Sequence, residues 1–233
     1  YQSVKIRSNQ IKIFDNENNF VFEGDISNQK NQIDLKKFSN LIRERFKNII
    51  NENLIIASNS KFSFKMSKKM KFSDINFQTK LSIEKLKFSN NNFKKFFPGY
   101  KDDIKFENNS ITIDFNNSDF EIIGKSKLNI NEDIDNINYS LKKIKKEFIY
   151  DLNFEFVNSA INFKILNYTK NKGDKSSLEL SGNYSVIKNI NLEKIKFTHD
   201  KNFINIQNVK INRNKKIKSI DNIKVNVFNN NDR

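Results

Sequence analysis

Apolar and polar residues alternate through most of the 233-residue chain. For example, Leu152, Phe154 and Phe156 are separated by single polar residues. A period of two places successive side chains on opposite faces of a β-strand. Parallel strands, which are buried on both faces, read as continuous apolar runs, and here the longest such run is only 54–57. The pattern predicts an all-β fold: an elongated, twisted antiparallel sheet curled into a groove, with one apolar and one polar face.

Asparagine takes the place of the usual turn residues. The chain has only 5 glycines and 1 proline, whereas clusters such as 16–19, 90–92 and 212–214 separate the apolar runs. Asparagine tolerates the left-handed backbone conformation and closes tight turns. The spacing of about 8–12 residues between runs is typical of all-β proteins. Because the chain opens on Tyr1, we interpret 1–233 as one continuous β-groove segment of a longer protein.

One segment follows a helical period instead. Between Asp34 and Ile50 the apolar residues recur at intervals of three and four, which predicts an amphipathic helix over 34–50 with Asp34 as its N-cap. Such a helix would pack on the sheet, cover an apolar groove as a lid, or lie on a membrane surface. Residues 134–148 fit either period, and for them we predict strands with a charged hairpin tip.

Little in the composition supports catalysis. There is no cysteine and a single histidine, which excludes thiolate chemistry and histidine-rich metal sites. His199 is predicted to be a surface residue in a turn, and the carboxylates at 102–103 and 132–135 to be solvated loop residues. We therefore predict no catalytic residue, no metal site, no cofactor and no enzymatic activity.

The net charge of +15 raises the question of nucleic acid. The basic residues are almost all lysines spread along the strands, and arginines that could read bases are few. We predict no nucleic-acid partner. Lysines such as Lys164 and Lys170 are expected to be exposed and dispensable for folding.

The stretch 149–180 carries a further signal. Its ordered features are Asp151-Leu152, Ala160-Ile161, Leu166, Tyr168, Lys170 and Gly173. In this order they resemble the strand pair, the aromatic-and-lysine loop and the following strand of AsmA-like proteins of the YhdP type. Tyr168 stands where that family usually has tryptophan.

The resemblance implies a role in the envelope of Gram-negative bacteria. AsmA-like proteins are periplasmic, and an anchor in the inner membrane, here outside this chain, would hold the protein. Their β-groove is thought to carry phospholipid acyl chains between inner and outer membranes, so the implied partners are acyl chains and the membranes or envelope proteins at the two ends. The alternative is a structural scaffold, a β-sandwich or solenoid with a closed core, or an adhesin-like module.

The candidate groove residues are the apolar positions of the best-matching region and of one later strand. They are Phe154, Phe156, Ile161, Phe163, Ile165, Leu178, Leu180, Ile204 and Ile206. We predict that those from 154 to 180 face one side of a single sheet.

Overall fold

A computed structural model describes residues 5–35, 49, 53–89, 97, 99–100, 103–185, 190–212, 214 and 216–228, except for the side chain of residue 165. The described chain is almost entirely β-strand, and its one helical element is a 3-10 turn at Lys164–Leu166. The prediction of an all-β fold is confirmed.

Sixteen strands are numbered in chain order. They are β1 (Ile6–Arg7), β2 (Ile11–Asn16), β3 (Asn19–Asp34), β4 (Asn53–Ser67), β5 (Phe72–Ser89), β6 (Asp103–Asn116), β7 (Asp119–Ile130), β8 (Asp133–Ile144), β9 (Glu147–Phe156), β10 (Ile161–Phe163), β11 (Tyr168–Lys170), β12 (Ser176–Ser185), β13 (Ile190–His199), β14 (Asn202–Ile211), β15 (Ile217–Ser219) and β16 (Asn222–Asn226).

Fourteen of the strands form one antiparallel sheet in which order along the chain is also order in space. From β3 to β9 each strand pairs with the next, and β9 then pairs with β12, followed by β13 and β14. At one edge β1 and β2 both pair with β3, and at the other β15 and β16 both pair with β14. Within the described residues the sheet does not close on itself.

Several strands are longer than the predicted spacing allows. β5 has 18 residues and β3 has 16. Register shifts explain the difference, since β-bulges between Asn28 and Asn31 and between Ser63 and Lys65 join two alternating runs into one strand. The turns follow the asparagine prediction more closely: Asn117, Asn131 and Asn167 adopt positive φ, as do Asn108 and Asn208 at irregular points in the strands.

The predicted helix over 34–50 is wrong at the positions that can be checked. Asp34 is the last residue of β3 and pairs with Asn53, so its backbone continues the β-ladder where a helix would begin. Ile49 forms an isolated antiparallel bridge with Phe88. Residues 36–48 and 50 lie outside the described part of the chain. The choice of strands for 134–148 is confirmed by β8 and β9 and the turn between them.

Between β9 and β12 the chain leaves the large sheet. β10 and β11 pair with each other in a separate two-stranded sheet, which we call the β10–β11 hairpin. The main hydrophobic cluster forms at this hairpin. Its buried residues are Phe97, Tyr100, Ile104, Leu128, Ile130, Ile137, Phe156, Ile161, Tyr168 and Phe197.

Candidate functional site

Two rows of paired residues carry most of the predicted groove positions. The Phe154 row crosses five neighbouring strands in register, and so does the Leu180 row. The Phe154 row is Ile137, Phe154, Leu178, Phe197 and Ile204; the Leu180 row is Tyr139, Leu152, Leu180, Ile195 and Ile206. The antiparallel register therefore brings Phe154, Leu178 and Ile204 together, and likewise Leu180 and Ile206.

The two rows differ in what covers them. In the Phe154 row, Ile137 and Phe197 are buried and their row neighbours pack against the main cluster. The five side chains of the Leu180 row are half-buried, and only Tyr139 among them belongs to the margin of that cluster. The apolar surface is thus closed by protein at the first row and more open at the second.

Phe156 belongs to the closed region. It is 2 % exposed, and its ring centroid lies 5.8 Å from that of Phe97. Phe154 stacks on Phe156 with centroids 5.7 Å apart. These contacts are the dense packing of a protein core.

The prediction that the residues from 154 to 180 share one sheet is wrong for Ile161 and Phe163. Both lie in the β10–β11 hairpin, where Ile161 pairs with Lys170 and Phe163 with Tyr168. Phe163 meets Phe197 of the large sheet edge to face, with centroids 5.0 Å apart. Alternation continues through β10, but the intervening turn at 157–159 takes the chain out of the sheet. Ile165 falls in the 3-10 turn, and its side chain is not described.

A third row, the aromatic row, was not among the predicted sites. It crosses seven strands, β4 to β9 and β12, and lies close to the hairpin turns at β6, β7 and β9. Its members are Phe62, Phe77, Phe115, Phe120, Phe148 and Tyr184, with Lys143 standing between Phe120 and Phe148. Phe77 and Phe115 stack at 4.8 Å, and Phe148 and Tyr184 stack at 4.9 Å. Each member shows in the sequence as an alternating aromatic residue, but only strand pairing aligns them.

Two buried polar side chains, Asp135 and Lys170, stabilise the turn at 157–159, and we call them the buried staple. The carboxylate of Asp135, 2 % exposed, accepts backbone N–H bonds from Val157 at 2.7 Å, Asn158 at 2.8 Å and Ser159 at 3.0 Å. The Lys170 ammonium, on a side chain with 0 % exposure, donates to the carbonyl oxygens of Val157 and Ser159 at 2.9 and 2.8 Å. Burial lowers the pKa of Lys170, while the charge of Asp135 opposes that shift.

The expected exposure of Lys170 and Asp135 is therefore wrong. Both residues satisfy backbone groups that the turn would otherwise leave unpaired in the interior. The sequence held one signal for this role, because Lys170 belongs to the motif that resembles the AsmA-like loop.

His199 is also buried, contrary to prediction. It ends β13 with 9 % exposure, and its Nδ1 is hydrogen-bonded to the Tyr168 hydroxyl. Its Nε2 lies 3.6 Å from Asp200 and 3.8 Å from Asp174. Burial raises the pKa of Tyr168 to about 12, and the charges of Asp200 and Asp174 act in the same direction.

An open concavity of about 1160 Å³ lies away from every predicted groove residue. Its lining comes from β2 to β8 and combines polar residues with phenylalanines of the aromatic row; among them are Lys61, Gln78, Asp114, Glu121, Lys142, Phe62, Phe77, Phe115 and Phe120. Gln78 donates to Asp114 at 2.7 Å, and Lys142 lies 3.7 Å from Glu121. This mixture of neighbouring opposite charges forms no single-sign site.

The described residues contain neither a metal-binding cluster of side chains nor a membrane-spanning helix. No group of three histidine, aspartate or glutamate side chains there could hold a metal ion. Nor is any described helix long and apolar enough to cross a membrane.

Comparison with known proteins gave no relative: no family model, no curated protein and no solved structure matches this chain.

Proposed function

We propose that this chain binds phospholipid acyl chains along the apolar rows of its sheet. The proposed role is non-enzymatic: a periplasmic segment that contributes to lipid transport between the inner and outer membranes, as the AsmA-like resemblance implies. The observation that carries the proposal is the Leu180 row, five apolar side chains in register that remain half-buried in a single-layer sheet.

The register supports a division of the sheet into an apolar and a polar face. Phe154 pairs with Ile137 and Leu178, whereas the adjacent Asn153 pairs with Asn138 and Glu179. Because successive side chains of a strand point to opposite faces, apolar residues that pair with apolar residues gather on one side. An acyl chain that lies across several strands would bury its methylene groups there, each contributing about 0.8 kcal/mol.

The proposed course of the acyl chain avoids the β10–β11 hairpin. Phe163 and Phe156 already pack against protein. We therefore place the contacts with the acyl chain at Leu180 and Ile206, and not at the Phe154 row. The surface continues from these residues toward the aromatic row.

A scaffold is the second candidate, and the β10–β11 hairpin favours it. The hairpin covers the Phe154 row with a core of fully buried side chains, as a structural β-protein would require. The two functions differ at the Leu180 row, which a scaffold would cover with a protein partner and a lipid carrier with lipid.

A photo-crosslinking residue at Leu180 tests the proposal in the cell envelope. We expect the probe to trap phospholipid, because Leu180 lies in the half-buried row. The matched control is Glu179, one residue away and paired with Lys196 instead of Ile195, where no lipid should be trapped. Protein-only adducts at Leu180 would reject lipid binding and favour the scaffold. At Phe163 we expect protein adducts in either case.

A further inference from the structure

Among the hairpin turns that the structure describes, lysines are concentrated at one end of the sheet. The pairs Asn19↔Ser67, Asn76↔Asn116 and Glu147↔Ser185 place the turns after β2, β4, β6 and β8 at one end, which we call the lysine end. Its segments 67–72, 142–147 and 216–219 contain nine lysines. Six acids lie at the same end, namely Asp15, Glu17, Asp74, Asp119, Glu121 and Glu147.

The described turns of the opposite end show no such excess. At 131–133, 171–175 and 200–201 they contain three lysines and four acids. One acid of the lysine end is also already engaged, because Asp119 accepts the backbone N–H of Lys145 at 2.8 Å. Among the described turns, the positive charge is therefore concentrated at 68–70 and 145–146.

The aromatic row runs directly beneath the β6–β7 and β8–β9 turns. Phe115 and Phe120 lie one residue in from the β6–β7 turn pair Asn116↔Asp119, and Phe148 lies one residue in from the start of β9. Tyr184 adds a ring with a hydroxyl, the kind of side chain that is typical of the boundary between acyl chains and lipid headgroups, and the phenylalanines supply apolar surface beside it.

Lys143 belongs both to the lysine end and to the aromatic row. It occupies the aromatic row between Phe120 and Phe148, whose rings approach to 6.2 Å. Its half-buried stem follows the apolar row, while its ammonium donates to the carbonyl of Ser118 in the neighbouring turn. A lysine stem on an apolar surface with its charge at the polar boundary is the arrangement by which proteins place a cation beside a lipid phosphate.

We propose that the lysine end binds the phosphate headgroup of an anionic phospholipid whose acyl chains lie on the apolar rows. The inference rests on the proposed function and adds a substrate class to it. Lys143, Lys145 and Lys146 supply the charge, and the aromatic row marks the depth at which the glycerol backbone sits.

The test compares acyl-labelled phosphatidylglycerol with phosphatidylcholine carrying the same label, bound to the purified chain. The triple variant Lys143→Gln, Lys145→Gln, Lys146→Gln should weaken phosphatidylglycerol binding about tenfold or more and leave phosphatidylcholine binding unchanged. The matched control, Lys80→Gln, Lys125→Gln, Lys127→Gln, removes the same charge from exposed mid-strand positions and should keep the preference.

The outcomes separate the two proposals. Equal loss in both triple variants, or no loss in either, overturns the headgroup site while lipid binding stands. Competition by inorganic phosphate as strong as by phosphatidylglycerol also overturns it, since the site would then recognise free phosphate. Failure of the unmodified chain to bind either lipid overturns the proposed function itself, and the headgroup site with it.

Discussion

Lys170 shows how one side chain can stabilise a whole turn. Its ammonium and the Asp135 carboxylate bind the same three-residue turn from two sides, one through its carbonyls and the other through its amides. Neither bond is visible in the sequence, because lysine and aspartate beside turns are usually solvated. The local sequence pattern therefore predicts exposed positions for Lys170 and Asp135, whereas their tertiary contacts bury them.

Replacing Lys170 by methionine should lower the free energy of unfolding by about 2–4 kcal/mol, since two buried carbonyls lose their donor and Asp135 loses a compensating charge. Urea denaturation measures this loss. Lys164→Gln, at an exposed position beside the same hairpin, should shift stability by less than about 0.5 kcal/mol. Equal effects of the two changes would contradict the buried staple.

The raised pKa of Tyr168 predicts that the folded protein loses stability at alkaline pH. Its pKa in the folded protein is about 12, above the ordinary tyrosine value of 10.0. Between these values the unfolded chain has lost the hydroxyl proton and the folded protein has kept it, so stability should fall as pH rises from 10 toward 12. Melting temperatures across this range measure the effect. In Tyr168→Phe the decline should be smaller, although Tyr139 and Tyr150, whose pKa values burial also raises, will retain part of it.

At the scale of the element, Gly182 shows why one strand position admits no side chain. A Cβ there would lie 2.2 Å from the carbonyl oxygen of Asn191 and 2.6 Å from the Tyr150 hydroxyl. The position coincides with a register shift between β12 and β13. Tyr150 occupies the space that Gly182 leaves open, and its hydroxyl lies 3.5 Å from the same Asn191 carbonyl.

The variant Gly182→Ala should therefore destabilise the sheet by about 1–3 kcal/mol, because either the Tyr150 ring or the β13 backbone must move. The midpoint of urea unfolding checks this value. Ser181→Ala, the adjacent change on the other side of the strand, is the control and should have little effect. A neutral Gly182→Ala would show that the bulge adapts without cost.

The elements also show what could be read from the sequence and what could not. Alternation predicted the strands well, because a half-buried antiparallel strand imposes a period of two. It could not separate β10 from the large sheet, since the three residues of β10 alternate as any strand does. The helical period near residue 34 was misleading at its described ends, where pairing with β4 extends β3 through Asp34.

For the candidate site, the sequence could not show how the strands pair. The sequence supplied Phe154, Leu178 and Leu180 as apolar positions but did not show which would be covered. Coverage depends on the β10–β11 hairpin, which leaves the large sheet between Phe154 and Leu178, and on Phe97, which comes from a distant part of the chain. The aromatic row was missed for the same reason, as its six members span more than 120 residues and meet only through register.

At the scale of the whole molecule, the strand order has a consequence for how the fold can change. From β4 to β13 each strand of the large sheet pairs only with the strands before and after it in that sheet, with the β10–β11 hairpin as the one insertion among the described elements. Such an arrangement is quasi-one-dimensional, and its stability is approximately a sum over neighbouring pairs. If a hairpin were removed from the middle, the two strands left at the gap would still run antiparallel and could pair with each other. A hairpin added there would lengthen the sheet by roughly 10 Å. Outside the strands that share the main hydrophobic cluster, length is therefore a quantity that evolution can adjust two strands at a time.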